Sequence, residues 1–208
     1  MTITSTYEAL LAACQQESCP ICHMEHDADL RYLDRLFYEL VNDYKTRLLL
    51  RASLGFCSEH ALMAMDELKG KALGVTIIYD DMLRLVLEGL STPQNLLKNL
   101  KTCPACENRK ELTGHTLSEL SKTILQPAMQ AALRSSQGLC LGHLHQALEH
   151  LRVPEKRKVL VDLQRDIIEK LRVELAEYIR KNDYRFTGES FGPERDAWRR
   201  AVRLAKKS

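Results

Sequence analysis

Eight residues have the types and the spacing to hold metal ions. Cys19 and Cys22 are followed by Cys57 and His60, and the order returns as Cys103, Cys106, Cys140 and His143. The first pair recurs after 84 residues and the second after 83, with gaps of 35 (Cys22 to Cys57) and 34 (Cys106 to Cys140) inside the copies. Each copy thus offers three thiols and one imidazole, a full tetrahedral set for zinc. Two residues between the cysteines let both sulfurs reach one ion as the backbone turns. Cys57/His60 and Cys140/His143, three apart on a helix, project from one face. Four protein ligands leave no open position for an activated water, so such a site stabilises the fold. Two zinc ions are the expected cofactors, with an iron–sulfur cluster as rival, since three cysteines and a histidine can hold one. The spacing leaves the pairing open: each copy could close on itself, or Cys19 and Cys22 could share an ion with Cys140 and His143.

Other chemistries fit less well. Cys19-Pro20-Ile21-Cys22-His23 matches the pattern of covalent haem attachment, but the second copy has Glu107 where the histidine would be. A dithiol redox centre would need a strand–helix context that is missing. His23, His26, His115, His145 and His150 have no counterpart in the other copy and read as surface or capping residues. Cys14 aligns with Lys98 and reads as a buried thiol. Glu25, Asp27, Asp29, Asp80 and Asp81 read as solvated helix faces, with Asp80 and Asp81 also placed to orient a ligating histidine from behind. No phosphate loop, nucleophile elbow or other catalytic constellation is recognisable, so the reading leans away from an enzyme and names no catalytic residue.

The elements that must position these residues are helices. The chain has nine Gly and six Pro in 208 residues, few enough to argue against long loops. A short helix over 5–15 has Ser5 or Thr6 to cap it and Glu8 in its first turn. A helix from the Cys19-Pro20 step to about Tyr44 carries Leu30, Leu33, Leu36, Phe37, Leu40 and Val41 at three-and-four spacing. A stretch from Tyr44 to Ala52 leads to a break at Ser53-Leu54-Gly55. A helix over Ser58–Leu68 carries Leu62, Met65 and Leu68 on one face. Gly70 and Gly74 bracket a bend before a helix from Val75 to about Leu90, and a turn or two follows Pro93. The second copy predicts helices over Pro104–Glu111, Thr116–Leu125 and Ala128–Ser135, then one from Leu141 to about Leu151. Beyond Pro154, the longest helix, Glu155–Lys181, carries Leu160, Leu163, Ile167, Leu171, Leu175 and Tyr178 as a core stripe. The segment 182–190 reads as irregular, and Pro193–Lys206 as a last basic helix with Trp198. Arg51/Arg134, Ser53/Ser136 and Gly55/Gly138 repeat at the offset of 83. Gly there suits a reversal at positive φ.

The expected fold is therefore all-α. Residues 1–91 form a first helical repeat with one metal site, 92–181 a second with the other, packed as one body, and 182–208 a basic C-terminal extension. From Arg180 onward nine Lys and Arg face four acidic residues, while the whole chain is only +2. A solvated helix explains that end more simply than an anionic partner, so nucleic acid is possible but not favoured. An unknown protein partner, or self-association, is the expected partner class. Leu11-Ala12-Ala13-Cys14 matches a lipidation site, yet no Lys or Arg precedes it and Glu8 interrupts the apolar run. No stretch approaches a membrane span. Metal-type cysteine spacing fits a reducing, cytoplasmic setting. The two Cys-Pro-x-Cys and Gly-x-Cys-x-x-His motifs, with Asn182-Asp183-Tyr184-Arg185-Phe186 and Glu194-Arg195-Asp196-Ala197-Trp198, resemble a bacterial family classed only as a domain of unknown function. The resemblance covers most of the chain and implies a bacterial cytoplasmic protein of unassigned activity. On the residues alone, the function expected is that of a metal-binding interaction or scaffold protein. A redox-responsive protein or a nucleic-acid-binding regulator is the alternative.

Overall fold

The computed structural model describes residues 5–68, 70–98, 100–186 and 188–207. Every regular element among them is a helix. In order these are α1 (Thr6–Ala13), α2 (Pro20–Glu39), α3 (Tyr44–Ser53), α4 (Ser58–Asp66), α5 (Ala72–Gly89), α6 (Pro93–Lys98), α7 (Pro104–Thr123), α8 (Pro127–Ser135), α9 (Leu141–His150), α10 (Pro154–Lys181) and α11 (Ala197–Leu204). Short 3-10 turns at Tyr184–Phe186 and Pro193–Asp196 lie between the last two. Thr187, within the segment expected to be irregular, lies outside the described residues.

The local chemistry explains most of the boundaries. Ser5 and Glu8 form a reciprocal cap on α1, each side chain bonding the other's backbone N–H at 3.2 and 3.0 Å. The expected run of α2 to Tyr44 is shorter, because Asp43 starts a new helix. Its carboxylate accepts from the Thr46 N–H at 2.8 Å and from the Thr46 hydroxyl at 2.9 Å. The two helices expected around Gly114 are one, α7, since a single glycine weakens a helix without ending it. Gly74 marks no bend. It lies inside α5, where a Cβ would stand 2.2 Å from the Phe37 carbonyl oxygen, so its bare Cα lets α5 press on the end of α2.

Two compact units carry the fold, and they are not the two sequence copies. One comprises residues 1–24 and 113–208, the other 25–112. The second buries Leu33, Leu36, Phe37, Leu50, Ile78 and Met82 together with Cys103 and Ala105. Each such aliphatic side chain contributes roughly 1.5–3 kcal/mol. Its α4 leaves Leu62 and Met65 exposed, while His60, Met63 and Ala64 face inward. A metal-competent His60 at the buried side fixes that rotation. The first unit buries Leu10, Leu120, Ile124, Met129, Leu139 and Leu151 around α10, whose Leu160, Leu163 and Leu171 face inward. There α10 packs on α8, α11 and the Pro193–Asp196 turn.

Candidate metal centres

The eight candidate ligands gather into two clusters, and each takes one pair from each sequence copy. Cys19, Cys22, Cys140 and His143 form site A in the unit of residues 1–24 and 113–208. Cys57, His60, Cys103 and Cys106 form site B in the unit 25–112. Of the two pairings the spacing left open, the structure therefore has the crossed one. This is also why the compact units cut across a division at residue 91.

Every candidate pair sits at the same place on its helix. The helices α2 and α7 begin at Pro20 and Pro104, and the carbonyls of Cys19 and Cys103 accept the first helical N–H bonds, from His23 and Glu107. Proline suits this position because its missing N–H has no helical partner there. Cys57 and Cys140 cap α4 and α9 with extended backbones, φ/ψ −65/166° and −63/160°. The second ligand of each pair, three residues on, is the third residue inside the helix. Each cluster is thus a meeting of two helix N-termini. Those ends carry about half a positive charge each, while a divalent ion with three thiolates carries one net negative charge. The two terms balance, and a charge in a largely dry site is offset without any added cation. The reversals that feed α4 and α9 use Gly55 and Gly138 at φ 90° and 75°, as the repeat predicts.

The spacing of the atoms is that of one tetrahedral ion. In site A, His143 Nδ1 lies 3.6, 3.3 and 3.3 Å from the sulfurs of Cys19, Cys22 and Cys140, and Cys22 Sγ is 3.6 Å from Cys140 Sγ. In site B, His60 Nδ1 lies 3.2, 3.7 and 3.5 Å from Cys57, Cys103 and Cys106, and Cys57 Sγ is 3.6 Å from Cys106 Sγ. Zinc bonds of about 2.3 Å to sulfur and 2.0 Å to nitrogen give tetrahedral edges of about 3.7 Å between sulfurs and 3.5 Å between sulfur and nitrogen. All ligand atoms within a cluster lie within 4.8 Å of one another. The separations are far beyond a disulfide bond, and all seven cysteines are free. His60, His143 and Cys140 are fully buried, and Cys19 and Cys103 nearly so.

Before any ion binds, protons hold these groups together. Burial pushes the Cys103 thiol up, but His60 and the backbone N–H groups of Cys57, Cys106 and Ala105 outweigh it and bring its pKa down to about 6. Burial and the neighbouring Cys57 and Cys103 raise Cys106 to about 12. Burial opposes the charge on His60, yet Asp29, Cys103 and Cys57 raise it to about 10. In site A, hydrogen bonds from Cys19 and Cys22 hold Cys140 as the thiolate, and the same sharing raises Cys22.

Site B has a support that sequence reasoning assigned elsewhere. Asp80 and Asp81 do not approach a histidine: Asp81 receives Arg51 at 2.8 and 2.9 Å, and Asp80 receives Arg84 at 2.7 Å. Asp29 instead, fully buried rather than on a solvated face, lies with Oδ1 3.3 Å from His60 Nε2. With Nδ1 facing the sulfurs, Nε2 faces Asp29 and the Arg109 Nη2, 3.0 Å away, and these two side chains fix the ring's direction. Arg109 completes the group. Its Nε donates to Asp29 Oδ2 at 2.7 Å, and its Nη1 and Nη2 donate to Glu59 at 3.1 and 2.8 Å. Burial works against ionising Asp29, but His60 and Arg109 hold it below the usual carboxylate range. Arg109 could have been found in the sequence, three residues after Cys106 and so on the ligand face of α7. Site A is strapped by the chain's end instead. Gly142 N–H donates to the Lys206 carbonyl at 3.2 Å, and Arg203 Nη1 donates to the Glu17 carbonyl at 2.8 Å.

The remaining candidates are peripheral. His26 pairs with Glu67 at 3.2 Å and His145 with Glu149 at 3.5 Å, both at the surface, and His150 meets the Gln146 carbonyl at 3.1 Å. Cys14 is 2% exposed, and burial, with nearby Cys19, raises its pKa to about 12. Among the described residues no helix is long and apolar enough to cross a membrane.

Fold and site together define an all-α protein with two crossed clusters of three cysteines and one histidine, either of which could hold a metal ion. The chain belongs to a family of unknown function (DUF6062), whose model matches residues 7–208. It is similar to an uncharacterised 23.9 kDa protein encoded in the xynA 3′ region of Caldicellulosiruptor sp. (strain Rt8B.4), 27% identical over 194 residues that span 90% of this chain and 94% of that one. No solved structure matches the chain.

Proposed function

We propose that this is a cytoplasmic zinc protein with one structural ion in each cluster, acting as a non-enzymatic interaction or scaffold protein. The observation that carries the reading is the match of both clusters to the edges of a single-ion tetrahedron at paired helix N-termini. In a polynuclear iron–sulfur cluster the protein sulfurs bind different irons and stand farther apart than such edges. A four-ligand set leaves no position for catalytic water. The interaction role draws on apolar side chains that the fold leaves in solvent, Leu83 and Leu87 on α5, Leu90 just after it and Leu97 on α6. Nucleic acid is the weaker partner, because the basic end is largely engaged. Arg200 is held by Glu174 and Asp196, Arg203 by the Glu17 carbonyl, and Arg199 lies 5.1 Å from the Trp198 ring.

The test is elemental analysis with an absorption spectrum, on protein purified anaerobically and without a metal-affinity tag. Two zinc per chain and a colourless solution are expected. Iron with acid-labile sulfide, or oxidised thiols with little metal, would overturn the reading.

A further inference from the structure

Helix α5 is apolar on two sides. Ile78 and Met82 are buried, while Leu83 and Leu87 turn outward with Leu90, the residue that ends the helix and keeps helical backbone. All three leucines are more than half exposed and, at steps of four and three, stand on one face. A helix apolar on both sides belongs inside an assembly. The matching helix of the second copy is built otherwise. Gly55 meets Tyr79 and Met82, and Gly138 meets Gln164 and Ile167, so α10 follows α5 at an offset of 85. There Leu83 and Leu90 correspond to Ile168 and Leu175, both half-buried, and Leu87 to the exposed Arg172. The chain also runs on from α10 into α11, which packs on it, whereas the segment after α5 supplies only the six-residue α6.

The charges beside that stripe point to its occupant. Arg84 and Glu88 follow Asp81 at steps of three and four, so they line the flank of α5 where Asp81 holds Arg51 of α3. When two copies of one helix lie antiparallel about a twofold axis, like flanks face each other. Arg84 then stands opposite Glu88 of the second copy, and Glu88 opposite its Arg84. The Arg84 guanidinium keeps donors for this beyond its 2.7 Å bond to Asp80. The same register sets Leu83 beside Leu90 of the second copy, and Leu87 beside its twin. In a parallel pair unlike flanks would meet, and both charges would lie against leucines. The 18-residue helix is about 27 Å long and about 11 Å across, so half of its surface is about 470 Å². A standard interface takes about 800 Å² from each partner, so this pair is reversible rather than obligate.

We propose that a second copy of this chain docks antiparallel on α5, with Leu83, Leu87 and Leu90 at the seam and Arg84 and Glu88 paired across it. This rests on the reading of an interaction protein and names its partner. The test is sedimentation equilibrium of the full, zinc-loaded chain from about 1 to about 500 µM, at about 0.15 M salt. A reversible dimer is expected. Leu87→Arg, which copies Arg172, should weaken it by about tenfold or more. Arg84→Glu and Glu88→Arg should each do the same by setting like charges across the seam, and the two together should restore the dimer to within about threefold. Val173→Arg, on the exposed side of α10, should change nothing. All four positions are exposed, so the variants keep their fold, which zinc content and circular dichroism verify. A monomer at every concentration would overturn the proposal, even one that holds a different protein at Leu87. So would a dimer indifferent to Leu87→Arg, or a double charge reversal that restores nothing. A monomer with two zinc per chain would leave the zinc reading standing, whereas a dimer without zinc would overturn that reading alone.

Discussion

Removing cysteines two at a time distinguishes the crossed arrangement from one in which each copy closes on itself. In the structure Cys22 and Cys140 serve one ion, whereas Cys22 and Cys57 serve different ions. The double substitution Cys22→Ala with Cys140→Ala should therefore lose one zinc and keep the other. Cys22→Ala with Cys57→Ala should cripple both sites. Self-closing copies would give the opposite pair of results, so zinc per chain, measured after dialysis against a weak chelator, decides. The energetic size follows from the chain lengths bridged. Site A joins residues 118 apart (Cys22 and Cys140), and site B residues 43 apart (His60 and Cys103). By the loop-closure relation used for covalent cross-links, these ties are worth about 5 and about 4 kcal/mol respectively. Loss of site A should lower stability by about 1 kcal/mol more than loss of site B, apart from differences in coordination itself. Chemical denaturation of the two single-site proteins measures that difference. One zinc retained by the Cys22/Cys57 variant, with none in the Cys22/Cys140 variant, would refute the geometry on which both sites rest.

Asp29→Asn should weaken zinc at site B by about 10- to 100-fold and leave site A unchanged, as competition with a chromophoric chelator reports. At pH 7 Cys106 and His60 both carry protons in the metal-free protein, their pKa values lying at about 12 and about 10. Zinc entering site B should thus release at least two protons, and affinity should rise with pH, less steeply above about 10 where only Cys106 still holds its proton, which calorimetry in buffers of different ionisation enthalpy detects. Gly138→Ala should destabilise more than Gly55→Ala. Both positions have positive φ, with a strain of about 1–2 kcal/mol, but only at Gly138 would the methyl meet Gln164 at 3.0 Å and Ile167 at 3.2 Å. Thermal melts of the two variants give the comparison. Ending the chain at residue 196 removes the straps from Lys206 and Arg203, so zinc should leave site A faster while site B keeps its rate, as stopped-flow chelation shows.

The eight candidates that cluster were legible because a three-residue step at a helix start is a local rule, satisfied whatever packs nearby. Their partners were not. Both pairings fill the same tetrahedron, and the loops they close differ too little in entropy for spacing to choose. The same division runs through the carboxylates. Asp29, Asp80 and Asp81 are alike as sequence, and only the packing of α2 against α4 and α7 sends Asp29 to His60. The rotation of α4 shows it again: Leu62 and Met65 make an apolar stripe, but the face carrying His60, Met63 and Ala64 is the buried one. Caps such as Ser5–Glu8 and the positive-φ glycines were readable because their chemistry is complete within a few residues.

With zinc bound as proposed, crossed ligation sets a problem of timing during synthesis. Cys19 and Cys22 leave the ribosome with Cys57 and His60 as the next available pair, yet in the finished protein they wait for Cys140 and His143. At roughly 5–20 residues per second that interval is on the order of ten seconds. During it the early pairs can clasp one ion together, a set the final fold must then undo. Once Cys103 and Cys106 appear they compete for Cys57 and His60 and set the first pair free for the last. The order of emergence thus makes site B the first to be completed. Ion exchange between half-made sites becomes a step of the chain's maturation, and zinc supplied too generously to a nascent chain would slow folding rather than speed it.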